Sequence, residues 1–165
     1  MKPAKGFTLV EILIVVVLLG ILAAVVIPVI GSSATSARET ALASEIQMLR
    51  RFILIYTAQH RETVPGYLDS NLSSGNFVEQ ATESTDELGR TSDHCGTNCN
   101  RGPYMNKIPD NPINGKNSVQ VLANDTCLAD QRGDDSDGWV FVASTGEIYP
   151  DSSGQDDNGK NYCEY

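Results

Sequence analysis

The chain has 165 residues, of which 41% are hydrophobic and 7% aromatic, and its formal net charge is −9. This length predicts one domain, or one domain with an appendage. The acidic balance argues against nucleic acid as a partner, because phosphate binding needs a concentrated basic surface.

The apolar residues are concentrated near the N-terminus. Residues 12–30 are 19 consecutive apolar, Gly or Pro residues. As a helix this run is about 28 Å long, close to the hydrocarbon thickness of a bilayer. Lys2 and Lys5 precede the run and no basic residue follows before Arg38. The positive-inside rule therefore predicts a membrane anchor with the first six residues in the cytoplasm and a solvent-facing head outside it.

Three other interpretations explain this segment less well. A cleaved signal peptide has an apolar stretch of about 7–15 residues, and a buried core helix conflicts with the length of the run and with the polar remainder. A simple membrane anchor does not account for Glu11 at the front edge of the run. A carboxylate costs about 2.5–3.5 kcal/mol at the bilayer centre and less near the interface. Glu11 therefore either lies at headgroup level or pairs with a cation that another molecule supplies.

The residues before the run form a motif. Residues 5–11 read Lys-Gly-Phe-Thr-Leu-Val-Glu, and an unbroken apolar helix is predicted to follow. This string resembles the N-terminus of the type IV pilin superfamily, which includes type IV pili and the pseudopilins of type II secretion. Members have a short basic leader ending in Gly, then Phe, then an acid. Gly20 and Pro28 also lie where many members have a flexible Gly and a kinking Pro.

The resemblance implies a processing and assembly mechanism. A membrane prepilin peptidase would cut between Gly6 and Phe7 and N-methylate the new amine. Glu11 would then pair with the Phe7 ammonium of a neighbouring subunit, an attraction that a low-dielectric bundle strengthens. Both charges are expected to be unpaired in the monomer, so assembly would relieve that cost. The implied partners are copies of this chain, other pilins or pseudopilins, the peptidase, an assembly-platform protein and membrane lipid.

A helical pattern continues beyond the apolar run. One predicted helix face carries apolar residues at steps of four and three: Leu42, Ile46, Leu49, Ile53 and Tyr56. We expect this stripe to dock on the head, with Leu54 and Ile55 broadening it. Pro28 predicts a kink or an interruption of the helix, and Pro65-Gly66 is expected to end it.

The predicted organisation has four parts. They are a leader at 1–6, a transmembrane and assembly half of the helix at 7–30, an amphipathic half at 31–60, and a head at 61–165. The head holds 18 acidic and 7 basic residues. The implied class is α+β, with a long N-terminal helix packed on a small antiparallel sheet, as in the pilin fold.

Short elements are predicted within the head. A helix is expected near 77–81 or 84–88. Strands are expected at 118–123, after the Asn114-Gly115 turn, and at 139–143 and 147–149. Ser144-Thr145-Gly146 joins the last two strands as a hairpin. The three strands would form one antiparallel sheet.

Four cysteines lie in the predicted extracytoplasmic head, which indicates disulfides with three possible connectivities. We favour Cys95–Cys99, which closes a local loop, and Cys127–Cys163, which would tie the tail to the first strand and contribute about 3–4 kcal/mol. The alternative is a zinc site formed by His94 with Cys95 and Cys99. That spacing lacks the second matching pair of a zinc motif.

Two acidic clusters are present in the head: Asp134, Asp135 and Asp137 before Gly138, and Asp156 and Asp157 before Gly159. Oxygen-rich clusters suit Ca²⁺, so the first cluster is a candidate calcium site. Neither cluster matches an EF-hand loop, because Gly stands at the first ligand position and the closing Glu is absent. A solvated acidic surface is the favoured alternative, although the resemblance adds that some major pseudopilins bind calcium in a C-terminal loop.

No catalytic constellation is found, since His60 and His94 are isolated and no nucleophile elbow or phosphate loop occurs. Residues 103–115 and 137–151 also resemble C-terminal stretches of pseudopilin-like proteins. The leading hypothesis is a non-enzymatic type II secretion pseudopilin in the bacterial inner membrane, with its head in the periplasm. The alternatives are a type IV pilus subunit for adhesion, motility or DNA uptake, which the paired cysteines favour, a signal-anchored periplasmic calcium-binding module, and a membrane-anchored enzyme.

Overall fold

The computed structural model describes residues 6–91, 95, 98–124 and 133–165, and of residues 25–33 it describes the main chain alone. The first helix, α1, spans Leu9–Gln59. The chain divides into an N-terminal unit that ends at Ala37 and a head unit, Arg38–Tyr165. This division precedes the predicted head boundary at residue 61, because the second half of α1 packs within the head unit.

The predicted apolar stripe is the part of α1 that the head unit buries. All five of its residues have exposed fractions of 0% to 5%: Leu42, Ile46, Leu49, Ile53 and Tyr56. Phe52, at 3%, also faces the core, whereas Leu54 and Ile55 are 71% and 40% exposed. The predicted broadening by Leu54 and Ile55 is wrong, because each step along a helix turns the side chain by about 100° and carries these two away from the core.

The interior of α1 differs from the sequence prediction, whereas its C-terminal end at Gln59 lies next to the predicted boundary at residue 60. The helix continues through Gly20 and Pro28, so an interruption there is wrong, while a kink stays a prediction. The helix ends before Pro65 is reached, because Arg61 and Glu62 adopt left-handed φ angles of 54° and 63°. Residues in that conformation close a helix C-terminus.

A small hairpin and a helix follow. Strands β1 (Tyr67–Leu68) and β2 (Asn71–Leu72) pair antiparallel. Helix α2, Ser74–Thr82, contains the predicted segment 77–81. Ser73 caps α2, since its Oγ accepts a hydrogen bond from the Asn76 N–H at 3.1 Å.

The main sheet has three strands in the order β3 (Val119–Leu122), β4 (Trp139–Val142) and β5 (Glu147–Pro150). The α+β class with a small sheet is confirmed, and β4 and β5 form the predicted antiparallel hairpin. Strand β3 pairs with β4 in parallel, which differs from the prediction for that strand. A connection of more than a dozen residues between β3 and β4 allows the chain to return to the same end of the sheet.

The core of the head unit forms between the α1 stripe, α2 and the main sheet. Phe77 of α2 contacts Phe52 of α1 edge-on at 5.5 Å between ring centroids, and Phe141 of β4 at 4.9 Å. Trp139 is fully buried and its indole N–H donates to the Pro109 carbonyl at 2.9 Å. One face of the sheet and one face of each helix are thereby removed from water, which is the arrangement expected for a small α+β domain.

Candidate processing, assembly and acidic sites

The predicted cleavage site lies in non-helical chain before α1. Residues 6–8 precede the first helical turn, and both Gly6 and Phe7 are exposed. Phe7 is 82% exposed, and a Cβ on Gly6 would meet no atom within 4 Å in the part of the chain that is described. The peptide bond between them is therefore accessible, and exposed non-helical chain is the preferred substrate of proteases.

Thr8 and Glu11 form a capping box at the start of α1. Oε2 of Glu11 accepts hydrogen bonds from the main-chain N–H and from the hydroxyl of Thr8, both at 2.8 Å. The Thr8 Oγ1 accepts from the Glu11 N–H at 3.3 Å. This reciprocal pair satisfies N–H groups that a helix start leaves without partners. Thr8 thus supplies two neutral donors to one oxygen of Glu11, and the expectation that its charge lacks a cationic partner in the monomer stays a prediction.

The first part of α1 presents apolar side chains on all sides. Every large hydrophobic residue from Phe7 to Leu22 is between 48% and 83% exposed. In the described residues, which lack the side chains of 25–33, no helix reaches the length and apolarity needed to cross a membrane.

The acidic segment 133–138 wraps around one buried carboxylate, Asp151, at the end of β5. Asp151 is 0% exposed. Its Oδ1 accepts from the N–H groups of Gly133 at 2.8 Å and Asp134 at 3.2 Å, and its Oδ2 accepts from the Asp137 N–H at 2.7 Å. The Ser136 hydroxyl adds a fourth bond at 3.1 Å. A buried charge with four donors is a satisfied one, so Asp151 organises this segment.

The carboxylates of two predicted calcium ligands, Asp134 and Asp135, accept hydrogen bonds from the chain itself. Asp134 accepts from the Ser136 N–H at 2.8 Å, and Asp135 accepts from the main-chain N–H of Ser153 at 3.2 Å and from its hydroxyl. The Lys116 ammonium donates to the main-chain oxygens of Asp135 at 2.6 Å and Ser136 at 2.9 Å. A cation from the chain itself is therefore bound to carbonyl oxygens of this segment.

The second acidic cluster is a tight turn. Asp156 accepts from the N–H groups of Asn158 and Lys160, both at 2.8 Å, and from the Tyr165 hydroxyl at 2.6 Å. The Tyr165 hydroxyl and these N–H groups lower the pKa of Asp156, and the same carboxylate raises the pKa of Tyr165 to about 12. Among the described residues, no group of three or more His, Cys, Asp or Glu is arranged to hold a metal ion.

A disulfide joins Cys95 and Cys99, with their Cα atoms 5.6 Å apart. This is the first of the two predicted bonds. Cys127 lies outside the described residues, so the Cys127–Cys163 bond stays a prediction. His94, proposed in the zinc alternative, also lies outside them.

His60 is a buried histidine at the end of α1, 1% exposed and stacked on Tyr56 at 3.8 Å between ring centroids. Its Nδ1 lies 2.8 Å from the Tyr56 carbonyl oxygen and its Nε2 lies 2.9 Å from the Thr85 Oγ1. Because a carbonyl can only accept, Nδ1 carries the proton and Nε2 accepts from the Thr85 hydroxyl. Burial lowers the pKa of His60. Its role is structural: it joins α1 to the segment after α2.

Two of these residues, Thr8 and Asp151, are not among the site residues that the sequence predicts. Thr8 does have a recognisable signal in the sequence, since Thr-x-x-Glu before an apolar run is the pattern of a capping box. Asp151 gave no such indication, because it lies outside the acidic clusters and its donors come from a segment that precedes it by more than a dozen residues.

The comparisons with known proteins concern the N-terminal motif and the class of protein. A family model described as the prokaryotic N-terminal methylation motif matches residues 1–27. The core protein G of the type II secretion system of Pseudomonas aeruginosa is 32% identical over 125 residues, which cover 74% of this chain and 75% of that protein. The type IV major fimbrial protein FimA of Dichelobacter nodosus is 37% identical over 84 residues, which cover 49% of this chain and 53% of that protein.

The chain belongs to the type IV pilin superfamily, and it is a pilin-like subunit. Its alignments span about half the length of the fimbrial relative and three quarters of the secretion relative. No solved structure matches it.

Proposed function

We propose that this chain is a non-enzymatic structural subunit of a type II secretion pseudopilus. The extent of the alignment to core protein G carries this proposal, since it covers about three quarters of both chains. An alignment of 125 residues is too long to lie within α1, so it includes part of the head. The head is the part in which filament subunits with the same helix differ from one another.

Processing is the first step of the proposed function. A prepilin peptidase cuts the exposed bond between Gly6 and Phe7 and methylates the new amine. Gly6 suits the enzyme because a residue without Cβ lets another chain approach its backbone closely. The cut leaves the capping box intact, because both Thr8 and Glu11 lie on its C-terminal side.

Assembly is the second step, and in it the two carboxylate oxygens of Glu11 have different partners. Oε2 is held by Thr8, while Oε1 has no hydrogen bond within the described residues. We assign Oε1 to the Phe7 ammonium of a neighbouring subunit. An oriented carboxylate loses less conformational freedom on pairing than a free one. The exposed apolar surface of residues 7–22 is buried between subunits when the filament forms.

The proposed location follows from these steps. The processed subunit lies in the bacterial inner membrane with its head in the periplasm, where lipid covers the apolar surface. An assembly platform extracts it into a helical filament of its own copies and other pseudopilins. Growth of this filament pushes substrate toward an outer-membrane channel.

A type IV pilus subunit is the second candidate, and the 37% identity to the fimbrial protein favours it. The two candidates share processing and assembly and differ in what the filament does. Neighbouring genes distinguish them: a secretin with a secretion ATPase alone fits a pseudopilus, and an additional retraction ATPase fits a pilus.

The direct test is deletion of the gene in its own host, with complementation by the wild-type chain. A pseudopilin predicts loss of extracellular enzymes, which accumulate in the periplasm, with surface pili retained. Loss of surface pili with normal secretion would replace this proposal with the pilus one. Normal secretion together with normal pili would contradict both the pseudopilus proposal and the pilus proposal.

A further inference from the structure

We propose that Asn71 is an acceptor site for N-linked glycan transfer. This inference rests on the proposed function in one respect, which is that the head faces the extracytoplasmic side. Residues 71–73 read Asn-Leu-Ser, the acceptor sequence for asparagine glycosylation. The head has a second such sequence at residues 124–126, Asn-Asp-Thr, which provides an internal comparison.

Asn71 is the first residue of β2, directly after a tight turn. Asp69 and Ser70 connect β1 to β2 with φ angles of 48° and 66°. Two successive positive φ angles are typical of the two-residue hairpin turn. Asp69, Ser70 and Asn71 are all exposed, so an enzyme can reach the acceptor without unfolding the core.

The reactive amide of Asn71 is available. Asn71 contacts the rest of the head through its main chain: it pairs with Leu68 across the hairpin, and its carbonyl accepts from the Asn76 Nδ2 at 3.1 Å. Within the described residues its side-chain amide makes no hydrogen bond. Modification of Nδ2 therefore breaks no hydrogen bond in the described part of the head.

The serine of the acceptor sequence keeps a free donor. Ser73 Oγ accepts from the Asn76 N–H at 3.1 Å as the cap of α2. Its hydroxyl proton has no acceptor among the residues described. The hydroxyl can therefore donate to a transferase while it caps the helix. A hairpin of two residue pairs is marginally stable alone, so it can open locally to enter an active site.

Asp69 distinguishes the two acceptor sequences. Its exposed carboxylate lies two positions before Asn71, where a cationic group of a transferase can bind it. Leu122 occupies the equivalent position before Asn124. We therefore infer that Asn71 is modified in preference to Asn124.

The transfer step balances with a polyprenyl-pyrophosphate-linked oligosaccharide as the donor. Nδ2 of Asn71 forms a bond to C1 of the first sugar, and the bond from C1 to the pyrophosphate oxygen breaks. The electron pair leaves with the lipid pyrophosphate. The amide nitrogen loses one proton to a base on the transferase, and no oxidant or reductant is needed.

Peptide mass mapping of the full chain from membranes of its own host tests the proposal. Trypsin releases Asn71 in peptide 62–90 and Asn124 in peptide 117–132. We expect peptide 62–90 to carry an oligosaccharide mass and peptide 117–132 to be unmodified. Modification should be lost in Asn71→Gln, unchanged in Asn124→Gln and reduced roughly tenfold in Asp69→Asn, the effect of one lost charge-assisted contact.

An unmodified peptide 62–90 would overturn the glycan proposal. Equal modification of both peptides would retain Asn71 as an acceptor and overturn the preference that we assign to Asp69. The same digest reports the proposed function separately. An N-terminal peptide that begins at methylated Phe7 supports pilin-type processing whatever the state of Asn71. An N-terminus at Met1 together with a glycan on Asn71 would remove the filament proposal and retain this one.

Discussion

Thr8 holds one oxygen of Glu11 at 2.8 Å through two donors and leaves the other oxygen without a hydrogen bond in the described residues. Glu11 thus caps the start of α1 with one oxygen, and its other oxygen is the one that we propose for pairing between subunits. A capping carboxylate stabilises the helix start through its N–H groups and its dipole. The same fixed orientation leaves Oε1 open to the Phe7 ammonium that we propose as its partner.

The capping role of Glu11 and its proposed pairing role can be separated by substitution. In Glu11→Gln the side-chain oxygen still accepts from Thr8, but the charge is lost. We expect normal processing and a fall of more than tenfold in filament yield, since breaking a buried ion pair costs about 3–5 kcal/mol. Filaments sheared from cells overproducing the system and quantified by immunoblot measure this yield.

Thr8→Val is the matched control, because it removes the hydroxyl while the Glu11 charge remains. It should cost the helix start about 1 kcal/mol and leave most of the filament yield. If Glu11→Gln assembles as well as the wild type, the capping box is the whole role of this residue and the intersubunit pair is rejected.

The α1 stripe and its neighbouring exposed positions differ sharply in what they contribute to stability. Leu49 is 0% exposed and Leu54 is 71% exposed on the same helix. We expect Leu49→Ala to lower the free energy of unfolding by about 2–5 kcal/mol and Leu54→Ala to change it by less than about 0.5 kcal/mol. Urea unfolding of the detergent-solubilised chain, followed by fluorescence of its single tryptophan, Trp139, measures both. Equal effects would contradict the docking of the stripe.

How far the sequence predicts this molecule depends on whether the information is local. The helical stripe, the Asn114-Gly115 turn and the β4–β5 hairpin are set by residues close together in the chain, so periodicity and turn chemistry find them. The parallel pairing of β3 depends on the path of a long connection, which no local pattern encodes. No local pattern indicates the role of Asp151 either, because only the folded chain brings its donors in segment 133–138 next to it.

Asp151 should be the most sensitive polar residue of the acidic region. In Asp151→Ala the N–H groups of Gly133, Asp134 and Asp137 lose their acceptor. We expect a loss of about 3 kcal/mol in the free energy of unfolding, because hydrogen bonds to charged groups contribute about 1.5–3 kcal/mol each and part of the segment can rehydrate. Asp157→Asn, on the exposed second cluster, is the control and should stay within about 0.5 kcal/mol. Thermal unfolding by circular dichroism compares them, and equal Tm values would remove the organising role of Asp151.

Calcium binding at Asp134, Asp135 and Asp137 stays a prediction. If these carboxylates hold Ca²⁺, chelation by EGTA lowers the Tm of the wild-type head and added Ca²⁺ restores it. The effect should be lost in Asp137→Asn. An unchanged Tm would contradict calcium binding and leave Lys116 as the cation of this segment. Lys116→Met would then lower the Tm of the head equally with and without Ca²⁺.

His60 should make the head less stable in weak acid. Its pKa in the folded head is lowered below the ordinary 6.5, with burial as the main cause. Arg101 also opposes protonation, whereas Asp86 and the Tyr56 carbonyl favour it; the Tyr104 ring, 6.5 Å away, packs against the imidazole without a charge. At pH values near and below 6.5 the unfolded chain therefore binds more protons than the folded one, and stability rises with pH in that range.

The stability that neutral His60 contributes is therefore complete above about pH 7 and decreases as the pH falls through 6.5 toward the lowered folded pKa. Protonation also removes the acceptor at Nε2, so the Thr85 hydroxyl must turn away. We expect the Tm difference between pH 7.5 and pH 5.5, measured by circular dichroism, to shrink in His60→Gln, which cannot take up the proton. Carboxylates of the acidic surface titrate mostly below this range and contribute equally to both proteins. An unchanged difference in His60→Gln would show that the pH dependence arises elsewhere in the head.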